Sequence, residues 1–255
     1  MKRLSTLFVA FMATTCLWAS GFQIGYFFYE FTSENTVELD YAEDEITQAV
    51  IPNTVTYKGK TYSVTSIGTD AFYECTKLIS VTIGNNVKRI GQDAFAECTA
   101  LQSVTIGNGV THIADGAFTE CKSLSNLTIG NNVKSIGEIA FAECVSLKSV
   151  IIPNSVTHIS TEAFAECTAL RSVTIGNGVT HIGQEAFAEC TALQSVTIGN
   201  SVTHIADGAF CLCDCLSSIS YKGTKEQWHK IVKGKELNYD SPVRSVNCTN
   251  GVVAL

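Results

Sequence analysis

The sequence predicts an α/β solenoid of seven 23-residue rungs, with a parallel β-sheet on one face and a cap at each end. Cysteine recurs every 23 residues from Cys75 to Cys213, phenylalanine from Phe72 to Phe210 and leucine from Leu78 to Leu216, without an insertion. Self-similarity at one strict period marks units that bury their apolar face only by stacking on neighbours. Each unit, such as "AFAECTALQSVTIGNGVTHI" from Ala94, holds one apolar face and no second layer to cover it.

Within a rung, Leu101 anchors a strand in which Val104 and Ile106 point inward and Ser103, Thr105 and Gly107 outward, the period-2 pattern of a half-buried strand. Asn108 and Gly109 are expected to turn the chain at positive φ and send Val110 and Ile113 back into the core. Ala117, Phe118 and Cys121 then line the buried side of a short helical or extended piece. Asp93, Glu138, Glu162 and Glu185 sit where a helix N-terminus would favour negative charge. Each rung is thus expected to hold one strand, one turn and one short helical or extended piece. Strands about 4.8 Å apart make seven rungs a slab on the order of 35 Å long, and its ends need caps.

At the N-terminal end "GFQIGYFFYEFTS" and "NTVELDYA" read as strands, and Val50-Ile51-Pro52-Asn53 aligns with Ile151-Ile152-Pro153-Asn154. A hairpin turning at Lys58-Gly59-Lys60 absorbs the extra residues of this first rung. At the other end Tyr221 replaces the usual Ile. An amphipathic helix carrying Trp228, Ile231 and Val232 is expected to cover the last layer, and residues 237–255 read as a strand and tail.

The first residues, "MKRLSTLFVAFMATTCLWAS", show a basic start, a short apolar run and small residues before Gly21. They read as a cleaved secretory signal over 1–21, since the run is too short to span a bilayer. A lipoprotein signal on Cys16 is the competing reading, and "ATT" before it is a poor lipobox. The expected divisions are a signal peptide 1–21, an N-terminal β-rich cap 22–63, the repeat solenoid 64–220 and a C-terminal cap 221–255. Lys and Arg number 17 against 24 Asp and Glu. An acidic chain with no basic stripe argues against nucleic acid and against an anionic membrane surface as partner. No later segment is apolar enough to span a membrane. The expected location is secreted or cell-surface.

Rungs of the form "IGQDAFAECTALQSVTIGNGVTHI", with "IPNTVTYKGKTYSVTSIGTDAF" before them and "YKGTKEQWHKI" after them, resemble the BspA-like leucine-rich repeat family over residues 45–235. The resemblance implies a right-handed, curved leucine-rich repeat solenoid. It also implies a secreted or surface-exposed, adhesin-like binding protein whose ligands are host extracellular-matrix or cell-surface glycoproteins. No catalytic residue is implied. A structural or assembly solenoid without a dedicated host ligand is the alternative, and self-association belongs with it.

The rows of repeated letters are the candidate sites. The cysteine ladder reads as buried free thiols filling small gaps, with Cys248 left as a disulfide partner for Cys211 or Cys215 in an exported chain. His112, His158, His181 and His204 share one rung position, where a metal or pH-switch role stands against a solvated polar row. Glu74, Glu97, Glu120, Glu143, Glu166 and Glu189 form another row, whose single carboxylate per rung falls short of a calcium site. The outward strand face is the candidate binding surface: Ser80, Thr82, Ser103, Thr105, Asn126, Thr128, Ser149, Ser172, Thr174, Ser195 and Thr197, with Lys148 and Arg171 as its charge. No nucleophile–base set, nucleotide loop or zinc signature stands outside the repeats. The expectation is therefore a non-enzymatic protein with no cofactor, no catalytic residue and no metal site.

Overall fold

The computed structural model describes residues 21–255, so all of the expected signal peptide except Gly21 lies outside the described residues. The N-terminal cap holds β1 (Phe22–Ile24), β2 (Phe27–Phe31), β3 (Thr36–Ala42), β4 (Gln48–Ile51), β5 (Thr54–Tyr57) and β6 (Lys60–Ile67). Strands β5 and β6 form the expected hairpin, turning through Lys58 at φ 48° and Gly59 at φ 80°. Aromatic packing holds the cap together, with Phe22 stacked on Tyr57 at 4.2 Å between ring centres.

Each rung then contributes two strands rather than the single one the sequence suggested. The longer strands are β7 (Ser80–Ile83), β9 (Ser103–Thr105), β11 (Asn126–Thr128), β13 (Ser149–Ile152), β15 (Ser172–Ile175), β17 (Ser195–Ile198) and β19 (Ser218–Tyr221). The two-residue strands between them are β8 (Arg89–Ile90), β10 (His112–Ile113), β12 (Ser135–Ile136), β14 (His158–Ile159), β16 (His181–Ile182) and β18 (His204–Ile205). After β19 come α1 (Lys225–Lys230), β20 (Val232–Lys233), β21 (Ser245–Cys248) and β22 (Gly251–Ala254). The short strands build one unbroken sheet of twelve strands, from β1 through β3, β6 and β8 to β20. The longer strands build two sheets, β11-β9-β7-β4 and β13-β15-β17-β19-β21-β22, so this side is interrupted between β11 and β13.

The third side of the rung contains no helix. Residues 93–98 form overlapping turns, with Ala96 N–H donating to Asp93 O and Cys98 N–H to Phe95 O. Phe95 N–H and Glu97 N–H reach across to Ala117 O and Thr119 O of the next rung. The chain achieves this by entering the left-handed region twice per rung, as at Asp93 (φ 49°) and Glu97 (φ 57°). The carboxylates of Asp93, Glu162 and Glu185 therefore sit on left-handed turn residues, not at a helix N-terminus. The turn at Asn108-Gly109 uses no positive φ, contrary to the expectation. Gly109 is required there by contact, because a Cβ would stand 1.7 Å from the carbonyl oxygen of Asn85.

The core is one column per repeated letter. Seven phenylalanines from Phe72 to Phe210 stack with ring centres 4.6 to 5.5 Å apart. Beside them each thiol from Cys98 to Cys213 donates to a phenylalanine carbonyl of the preceding rung, as Cys121 does to Phe95 O at 3.2 Å. Burial pushes the thiols of Cys98, Cys121, Cys144, Cys190 and Cys213 up, and that of Cys75 to about 12. Asn side chains add a ladder beyond the turns expected of them: Asn108 N–H donates to Asn85 Oδ1 and Asn131 N–H to Asn108 Oδ1, both at 2.8 Å.

At the C-terminal end α1 is held by a capping box between Thr224 and Gln227 and buries Trp228. Ile231 is buried beside it, whereas Val232 leaves the helix for β20 and is exposed, against the expectation. The expected terminal strand and tail is a hairpin, β21 with β22. No helix among the described residues is long and apolar enough to cross a membrane.

Candidate functional site

The interrupted side displays the candidate binding face. In strands such as β7 and β15 the Val and the last Ile enter the core, so Ser and Thr are forced outward by the pleat. Parallel pairing brings the rows into register: Ser80 with Ser103, Thr82 with Thr105, Asn126 with Ser103 and Thr128 with Thr105 in one block. In the other, Ser149 pairs with Ser172, Ser172 with Ser195 and Thr174 with Thr197. Lys148 and Arg171 stand on adjacent rungs just before these strands, both exposed, and Arg171 N–H donates to Lys148 O.

The interruption falls at a rung that departs from the repeat. In intact rungs the outward residues point their N–H at the preceding rung, as Ser195 N–H does to Arg171 O and Gly84 N–H to Ile51 O. The Gly84 position is taken by Pro153 in β13's rung, and proline has no N–H and belongs at sheet edges. Pro52 holds the same place after β4, which starts the first block. Each block thus begins on an Ile-Pro-Asn strand with an aliphatic side chain where Thr normally sits: Val50 is 67% exposed and Ile151 is 70% exposed. The rung of β13 also carries Ile139 in the left-handed region at φ 48°, where two other rungs use Gly116 and Gly208. Repeat symmetry is broken most at this rung, which holds Lys148 and Ile151, with Arg171 on the next rung.

The opposite side carries the histidines. His158, His181 and His204 stack face to face, with ring centres 4.7 and 4.6 Å apart. Each Nδ1 lies 2.8 to 2.9 Å from the hydroxyl of the preceding threonine. That hydroxyl donates its only proton to a backbone carbonyl, as Thr180 does to Thr157 O, so Nδ1 is the donor and Nε2 is left bare toward solvent. Burial, then the charges of His158 and His204, lower the pKa of His181 from 6.5. Parallel rings do not converge on one ion, and no group of three metal-ligating side chains occurs among the described residues. His112 is separated from this stack by Ser135.

All six glutamates of the third row sit in the left-handed region at φ 55 to 57°. Burial and the flanking Glu143 and Glu189 raise the carboxyl of Glu166. Glu120 pairs with Lys122 at 3.0 Å, and Glu97 accepts from the Tyr73 hydroxyl. Cys211, Cys215 and Cys248 are free thiols, so the structure does not contain the disulfide considered from sequence.

The chain matches the BspA type leucine rich repeat region over residues 41–170 and 134–234, in six copies. It is similar to a leucine-rich repeat protein from Bacteroides ovatus, at 28% identity and TM-score 0.59, covering 86% of this chain and 68% of that one. A T. pallidum leucine rich repeat protein is 27% identical with TM-score 0.60, over 82% of this chain and 83% of its own. No curated protein sequence matches the chain.

Proposed function

The chain belongs to the BspA type leucine-rich repeat family, and from that premise we propose that it is a non-enzymatic binding module that engages its ligand on the Ser/Thr face. The ligand class is a protein or glycoprotein of the host extracellular matrix or cell surface, and the protein acts from a secreted or surface-attached position. Solenoids generally bind on such long rigid faces. The observation that carries the reading is the rung of β13, where Ile151 stands 70% exposed on an otherwise hydroxylated surface. Lys148 and Arg171 lie beside it. Binding energy concentrates where an apolar anchor and a guanidinium meet, while surrounding hydroxyls mainly shape the contact.

A solid-phase screen of the purified protein against matrix proteins and glycans tests this. Saturable binding is expected, with Ile151→Glu and Arg171→Glu each weakening it at least tenfold. Ser103→Glu with Thr105→Glu, in the other block, is expected to weaken it less. No saturable binding, or binding indifferent to Ile151, Arg171, Ser172 and Thr174, would sink the proposal.

A further inference from the structure

The two ends of the solenoid are unlike ordinary caps. Of the twelve large hydrophobic side chains exposed among the described residues, eight lie in the caps: Ile24, Tyr26, Tyr41 and Val50 at one end, Val232, Tyr239, Val252 and Leu255 at the other. Terminal repeats keep a solenoid soluble by presenting a polar outer face, and these mix charged groups with exposed apolar side chains. Among the described residues both ends also leave sheet edges unpaired, β1 and β20 in the twelve-stranded sheet, β4 and β22 on the interrupted side. Strand β22 reads Gly251-Val252-Val253-Ala254, with no charge or proline to discourage pairing. Beside it a cavity of about 490 Å³ opens among Trp228, Lys233, Leu237, Tyr239, Val253 and Leu255.

The ends carry opposite charge. Residues 22–63 contain seven carboxylates, from Glu30 to Glu45, against Lys58 and Lys60, whereas residues 221–255 contain five Lys and one Arg against three carboxylates. None of the C-terminal cationic groups is in an ion pair among the described residues, while at the other end Glu34 pairs with Lys60 and Glu45 with Lys77, leaving five carboxylates outside ion pairs. At the other end burial and mutual repulsion raise Glu30 and Asp40, with Glu38 acting on both. Within one chain the two ends are separated by the whole stack, on the order of 40 Å at the usual strand spacing and far beyond a Debye length of about 8 Å. They do not neutralise each other intramolecularly.

We propose that the acidic N-terminal end of one chain docks on the basic C-terminal end of a second copy, head to tail. Strand directions allow it: β1 runs with the rung strands and extends the parallel sheet from β20, while β22 runs against them and meets β4 antiparallel. Such a heterologous contact does not close on itself and yields linear stacks. This inference concerns the ends and does not depend on the Ser/Thr face binding a ligand.

Sedimentation velocity of the purified protein at low and high salt is the test. At 50 mM salt the weight-average sedimentation coefficient is expected to rise with concentration, and at 500 mM to stay at the monomer value. Lys222→Glu, Lys230→Glu and Lys235→Glu together should abolish the rise, as should Glu30→Lys, Glu43→Lys and Asp44→Lys together. All six side chains are exposed, and circular dichroism checks that each variant remains folded. Mixing the two folded variants restores association, because each then offers the other an oppositely charged end. A monomer at every concentration at 50 mM salt overturns the proposal. So does association that survives reversal of either end, or a mixture that stays monomeric.

Discussion

One side of the stack is a single sheet of twelve strands, and the other, built from the same repeats, is two sheets of four and six. The continuous side has two-residue strands whose pairing depends only on backbone, so Arg89, His112, Ser135 and His158 exchange at its outward position without breaking a ladder. On the interrupted side the strands are longer and run toward a position that is Gly in most rungs and Pro153 in the rung of β13. Gly84 donates its N–H to the rung before it, and Pro153 has none to donate. The repeat therefore tolerates side-chain variation on its continuous face, whereas the other face divides at the rung that holds Pro153 while the core beneath stays in register. The phenylalanine column runs through the joint undisturbed, with Phe118, Phe141 and Phe164 each 5.1 Å apart.

That contrast defines the experiments. Phe141→Ala removes the ring shared by both sides under the joint and is expected to lower stability by about 3 to 5 kcal/mol, measured by chemical unfolding. A loss below 1 kcal/mol would show that the column does not bind the two blocks together. Ile139→Gly relieves a β-branched residue at φ 48° and is expected to raise stability by about 1 kcal/mol, whereas Glu143→Gly, unbranched and equally left-handed, should gain less. Pro153→Gly restores the donor, and the amides of Ser149 and Ile151 should become more slowly exchanging while those of Ile159 do not change.

A smaller effect belongs to the continuous side. His181 has its pKa lowered in the fold, so the unfolded chain binds its proton more readily. Stability from this group is complete above pH 6.5 and falls as pH drops from there toward the folded pKa. Replacing His158 and His204 by Ser, the residue already present at Ser135, should flatten the fall of Tm between pH 7 and 5.5. An unchanged slope would remove the histidine stack as its cause. Least of all should thiol reagents disturb the protein: Cys215 is exposed and should react, while the buried ladder from Cys98 to Cys190 stays protected until unfolding.

The period made the stack legible, because identical apolar letters at identical spacing admit one physical solution. The inward set Leu101, Val104, Ile106, Val110, Ile113, Phe118 and Cys121 is buried as expected. The second strand of each rung was hidden because His112-Ile113 is only two residues long and carries no alternation to detect. The left-handed turns were hidden too, since glutamate has no preference that would mark Glu97 or Glu143 for φ near 56°. Gly116 and Gly208 at the matching turn position were the available signal. The Asn ladder could have been found, since Asn85, Asn108 and Asn131 keep the same 23-residue step. Pro153 was visible and aligned with Pro52, yet its consequence needed the direction of each N–H, which a sequence does not print.

Native-state hydrogen exchange at β13 tests the divided face most directly. Ser149 and Ile151 occupy positions whose N–H points at the preceding rung, and β11 does not pair with them. They should exchange at least a hundredfold faster than Ser172 and Thr174, which occupy the same positions one rung later and are paired with β13, while Ile159 and Ile182 on the other side exchange alike. Equal protection of Ser149, Ile151, Ser172 and Thr174 would contradict the division of this face at Pro153.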